Sequence, residues 1–175
     1  MIKNKKNFIP YGRHFIDQND IDAVTEVLKE GMLTQGPKVK EFEKLIAKKV
    51  NAKYAIAVSS ATAALHLACL ALKIDSSYVS FTSVNTFVAT SNCAEYCGAK
   101  TVFCDIEEDS LNICPTDLKK KISEYNEKKL IIPVHFSGVA TNMDEIHKMA
   151  KENNAFIIED ASPKLSPAIT ILPIS

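Results

Sequence analysis

From residue 54 onward the chain alternates short apolar runs with amphipathic segments. Residues 54–58, 78–82, 101–106, 130–136 and 156–158 are short, β-branched or apolar, and bounded by turn formers, so each predicts a strand. Between the first two, residues 62–72 place Leu65, Ala68, Cys69 and Leu72 at helical spacing. Residues 86–96 predict a helix ended by Cys97-Gly98, and Pro115 opens another at the favoured first position. Asn142 caps a helix running to about Asn153, with Met143, Ile146, His147 and Ala150 on one face. Ahead of this series, residues 17–30 predict a helix broken by Gly31, residues 31–37 a loop, and residues 38–50 a second helix.

Strands alternating with single helices imply βαβ crossovers, hence an α/β fold with a mainly parallel sheet and helices on both faces. The unbroken apolar run Leu130-Ile131-Ile132-Pro133-Val134 fits a strand buried on both sides. After Asp160 the pattern stops: prolines at 163, 167 and 173 exclude a regular helix. The organisation expected is an arm over residues 1–13, a domain over 14–162, and a distinct tail over 163–175.

The chain's 175 residues suffice for one domain with a core, and 46% hydrophobic with 24% charged residues is ordinary globular composition. Twenty-one basic residues balance twenty-one acidic ones, so no electrostatic footprint for nucleic acid is present. Lys3, Lys5 and Lys6 read as a solvated start. No apolar run approaches the roughly 20 residues that span a bilayer, and the polar start is no signal peptide, so no membrane partner is expected. Cys69, Cys93, Cys97, Cys104 and Cys114 are odd in number and include no CxxC pair. They read as small buried hydrophobes in a reducing cytoplasm, with no metal site.

Open α/β sheets bind ligands at the carboxyl ends of their strands, where four clusters fall. Ser59-Ser60-Ala61-Thr62-Ala63 is a small, hydroxyl-rich turn into a helix, suited either to an anion such as phosphate or to simple capping. Phe87, after the second strand, fits a ring that stacks on a flat ligand, or a core aromatic. Glu159-Asp160-Ala161 offers a carboxylate for a protonated ring nitrogen, or a solvated acidic turn. His135 serves either to orient a substrate or to satisfy a buried hydrogen bond.

The order and spacing of LTQGPKVKEFE, AIAVSSATAALHLACLAL, TFVATSNCAEYCGAK, VFCDI, LNICP, IIPVHFSG, NMDEIHKMAK and IIEDAS resemble the DegT/DnrJ/EryC1/StrS sugar aminotransferases. The likeness covers residues 8 to 162. TSNCAEYCGAK and IIPVHFSG are nearest to the branch that aminates a 4-keto-6-deoxy-N-acetylhexosamine nucleotide in pseudaminic acid biosynthesis. The resemblance implies the large domain of a fold-type I enzyme using pyridoxal phosphate, working as a homodimer. It assigns Thr62, Ser60 and the amides of Ala61 and Ala63 to the cofactor phosphate, Phe87 to the ring face, and Asp160 to the ring nitrogen. Thr34 and Gly36 fall in the family's loop near the substrate, and His135 takes an orienting role.

Two departures stand out. The family follows its EDA triplet with a His, whereas Pro163 follows Ser162 here. The lysine that holds the cofactor covalently belongs to a later segment, and Lys164 is the one lysine after Asp160. The expectation is a truncated large domain without the Schiff-base lysine. Its intact relatives would pass an amino group from glutamate to a 4-keto nucleotide sugar for cell-surface glycans. The alternative is a non-catalytic remnant that binds sugar nucleotides or dimerises.

Overall fold

The computed structural model describes residues 14–162 and 169–172. The chain divides into two compact units, one ending at Ala57 and one beginning at Val58.

The first unit holds α1 (Gln18–Glu30) and α2 (Pro37–Lys49). Asp17 caps α1: its carboxylate accepts from the amides of Asn19 and Asp20, and the Asp20 side chain accepts from the Asp17 amide in return. Proline at the first position starts α2 after the buried Gly36. A Cβ at Gly36 would run into the Met32 carbonyl oxygen, so the residue is required by the turn itself. Residues 54–58, expected as a strand, adopt no regular structure. A strand needs a partner for its amides; among the described residues only the Ala57 amide is held, by the Glu43 carboxylate at 2.9 Å.

The second unit runs α3 (Ala61–Ala71), β1 (Tyr78–Ser83), α4 (Val88–Glu95), β2 (Lys100–Cys104), α5 (Pro115–Ser123), β3 (Lys128–Ile132), α6 (Met143–Glu152), β4 (Phe156–Asp160) and β5 (Ile169–Leu172). The strands stand in the order β2-β1-β3-β4-β5, parallel except for the last pair. Sequence reasoning assigned no element after Asp160; β5 pairs antiparallel with β4, Asp160 opposite Ile169. The proline-broken stretch therefore contributes a short edge strand, a place where flanking prolines are tolerated.

Alternation along the strands divides the core in two. Tyr78, Leu130, Ile132 and Ile158 face α3 and α4, packing on Leu65, Ala68, Cys69, Ala89, Cys93 and Ala94. Val79, Phe81, Ile131 and Ile157 face α5 and α6, packing on Leu118, Ile122, Ile146, Met149 and Ala150. Both faces of the sheet are thus covered, which explains the unbroken apolar run of β3. Cys69, Cys93 and Cys104 are buried in these layers. Burial pushes the Cys104 thiol up to about 12. The hydrogen bond to Cys93, then burial, push Cys69 well above the ordinary range.

Candidate active site at the carboxyl ends of the strands

From β1 the chain crosses to β2 on one side, then returns past β1 to β3 on the other. In open α/β sheets such a reversal marks the place, beyond the carboxyl ends of the strands, where ligands bind. The loops after these strands, the end of β4 and the start of α4 all lie at this edge. Helix α3 leads into the start of β1, so its own N-terminus points to the same edge.

At the start of α3 the Ser60 hydroxyl caps the helix by accepting from the Ala63 amide at 3.1 Å. The Ala64 amide bonds the Ser60 carbonyl. The Ala63 amide, which the sequence reading gave to phosphate, is thereby engaged inside the protein. The donors left open in the first turn are the amides of Ala61 and Thr62, with the exposed Thr62 hydroxyl beside them. Such donors, at the positive end of an eleven-residue helix, are of the kind that suits an anion.

Asp160 closes β4 and is only 4% exposed. Its Oδ2 accepts from the Thr90 hydroxyl at 2.7 Å, and its Oδ1 accepts from the Ser162 hydroxyl at 2.5 Å and the Ser162 amide at 3.2 Å. A buried carboxylate is costly unless hydrogen-bonded, and these donors supply the compensation. Thr90 lies in the first turn of α4, where the helix dipole also favours a negative charge. One turn earlier Phe87 is the N-cap residue of α4, its ring 70% exposed. It is therefore not the core aromatic that its apolar character permits. Just ahead of it the Thr86 hydroxyl oxygen is buried without a hydrogen-bond partner among the described residues. Thr90 and Ser162 went unrecognised in the sequence; the one signal for Thr90 was a polar residue on the buried side of a short, small-residue helix.

His135 is placed differently. Glu159 and Ile157 have the same parity along β4, opposite to Asp160 and Ile158, so Glu159 turns toward the α5/α6 side. The His135 Nδ1 accepts the Thr141 amide at 3.1 Å, which leaves the proton on Nε2, 3.0 Å from the Glu159 carboxylate. Both ring nitrogens are committed within the protein, on the face away from Asp160. His135 thus tethers the loop after β3 instead of meeting the other site residues. The same loop, with Ser137 and Gly138 at positive φ, is held by buried Asn112, whose side chain accepts from the Phe136 amide at 2.9 Å and donates to the Val139 carbonyl at 3.2 Å. Thr34 is exposed on the loop between α1 and α2, and Gly36 is buried. Lys164 lies outside the described residues.

Among the described residues no helix is long and apolar enough to cross a membrane. Residues 14–166 match the model of the DegT/DnrJ/EryC1/StrS aminotransferase family. The chain is 41% identical over 162 residues to the spore coat polysaccharide biosynthesis protein SpsC of Bacillus subtilis, covering 93% of this chain and 41% of that protein. It is 42% identical over 158 residues to a UDP-4-amino-4,6-dideoxy-N-acetyl-beta-L-altrosamine transaminase of Campylobacter jejuni, covering 90% of this chain and 42% of the relative. The crystal structure of NtdA from Bacillus subtilis with bound cofactor PMP superposes with a TM-score of 0.77 at 31% identity, over 83% of this chain and 33% of that one. The chain thus spans about two fifths of the length of these curated relatives. On the match over residues 14–166, the chain belongs to the DegT/DnrJ/EryC1/StrS aminotransferase family.

Proposed function

We propose that this chain carries the cofactor seat of a pyridoxal-phosphate-dependent aminotransferase acting on a 4-keto nucleotide sugar. The observation that carries the reading is the buried Asp160 carboxylate, joined through Thr90 to the helix that presents Phe87. The donor set fits the cofactor: an anion seat at Ala61 and Thr62, an open aromatic face at Phe87, and a carboxylate for a protonated ring nitrogen. The Thr86 hydroxyl, without a hydrogen-bond partner among the described residues, adds polar capacity next to the aromatic. Ser60 serves this seat by capping α3, and Ala63 by its bond to that cap.

When bound, pyridoxal phosphate supplies an electron sink that lets an amino group move between donor and acceptor. Asp160 accepts the ring N–H and keeps that nitrogen protonated. Thr62 and the two open amides bind the phosphate, and Phe87 fixes the plane of the ring. The family likeness alone assigns Thr34 to the sugar; Gly36 serves the turn. Glutamate as donor, a homodimer as the working assembly, a cytoplasmic location and the pseudaminic acid branch follow from the same family likeness.

The test is the affinity for pyridoxamine phosphate, which needs no covalent lysine. Thr62→Val removes a hydroxyl bond to a charged group, a loss on the order of 1.5–3 kcal/mol, or roughly ten- to a hundredfold in Kd. Fluorescence titration reads the change. An unaltered affinity would leave Thr62 as an ordinary first-turn residue.

A further inference from the structure

We infer that Thr90 is a positioning residue that fixes which oxygen of Asp160 meets the ring nitrogen of the bound cofactor. The inference rests on the reading of Asp160 given above and adds a residue and an atom to it.

An ionised carboxylate offers about four acceptor positions, two on each oxygen. Oδ1 is filled by Ser162, whose hydroxyl and amide both donate to it. Among the described residues Oδ2 receives the Thr90 hydroxyl alone, so the acceptor position they leave is on Oδ2. Asp160 shares the parity of Ile158, which packs on the α3/α4 layer, so this oxygen lies on the side of the sheet where α4 begins. The backbone of Asp160 is fixed as well: its amide bonds the Pro133 carbonyl and its carbonyl accepts the His135 amide. With the main chain and Oδ1 anchored, the bond from Thr90 sets the remaining rotation of the carboxylate.

The place of Thr90 in α4 makes this possible. A threonine deep in a helix commonly returns its hydroxyl to a carbonyl one turn back. The carbonyl one turn back from Thr90, that of the N-cap Phe87, accepts the Thr90 amide at 2.9 Å, and the Thr90 hydroxyl donates across to β4 instead. It is fully buried, so water does not replace the bond. Seventy residues separate the two partners, and the bond ties the helix bearing Phe87 to the strand bearing Asp160. The ring-stacking and nitrogen-pairing groups are thereby held as one unit.

The experiment measures binding of pyridoxamine phosphate, and of its analogue with the ring nitrogen replaced by C–H, to the full chain and to Thr90→Val, Thr90→Ser and Asp160→Asn. Thermal melts accompany each variant. Thr90→Val keeps shape and burial but removes the donor, and should weaken pyridoxamine phosphate on the order of tenfold or more. The nitrogen-free analogue should bind Thr90→Val and the parent chain alike, and Thr90→Ser should restore most of the affinity. Equal weakening for both ligands, or no rescue by serine in a folded variant, would overturn the positioning role and make Thr90 a packing residue. So would full affinity in Thr90→Val while Asp160→Asn binds poorly. Full affinity in Asp160→Asn, or no binding by the parent chain, would instead defeat the underlying reading of Asp160.

Discussion

Replacing Phe81 by Ala should destabilise the second unit by about 3–5 kcal/mol, the range for an aromatic removed from a packed core. Phe81 sits in a central strand, is wholly buried, and meets the Tyr125 ring edge-on with centroids 5.8 Å apart. It is among the largest side chains in the layer between the sheet and α5/α6. Domains of this size hold only about 5–15 kcal/mol in total, so the variant should melt on the order of 10 °C lower. Phe103→Ala is the matched control: that ring, in β2, is 45% exposed, and its loss should cost under about 1 kcal/mol. Equal melting temperatures for the two variants would mean that the two-layer core described above is not the source of stability.

The second large effect concerns covalent attachment. Reduction of the chain with borohydride in the presence of pyridoxal phosphate should give no selective label on Lys164. The same preparation should show no amino transfer from glutamate to a 4-keto nucleotide sugar. The roles proposed for Thr62, Phe87 and Asp160 are to bind, stack and pair, and none of these three side chains is an amine that could hold the cofactor. Peptide mapping decides the matter. A stoichiometric label on Lys164 would show that the stretch following Asp160 supplies the nucleophile, contrary to this reading.

Much of the fold was legible because it depends on local chemistry. Asp17, Pro115 and Asn142 mark helix starts that the structure reproduces, Asp17 and Asn142 through side-chain caps, whereas Pro37, read as the end of a loop, opens α2. Leu130 to Ile132, apolar without alternation, already implied cover on both faces of the sheet. The misread stretch, residues 54–58, has the composition of a strand, but composition does not provide a partner. The tail was given no element: its prolines rule out a helix, as read, yet permit the edge strand β5.

Asp160, Phe87 and Thr62 were legible as candidates because each occupies a strand end or a helix start, which is where the structure places them. Sequence reasoning did not find the Thr90 bond, because pairing across seventy positions depends on how α4 lies over β4. Of the two roles left open for His135, the structure shows the buried hydrogen bonds. His135 neighbours the others at a strand end, but register and parity, which a single sequence does not disclose, turn it to the opposite face. The Ala63 amide was misassigned for a simpler reason: a serine cap and a bound phosphate compete for the same first-turn donors.

The most direct test of the cofactor seat is an amide spectrum of the isotope-labelled chain, recorded while pyridoxamine phosphate is added. The seat described here predicts that the amides of Ala61, Thr62, Thr90 and Ser162 shift along one saturating curve, while Thr141, behind the sheet, stays in place. Inorganic phosphate alone should move only Ala61 and Thr62. Saturable shifts centred on Thr141 and His135, or none at Ala61 and Thr62, would contradict it.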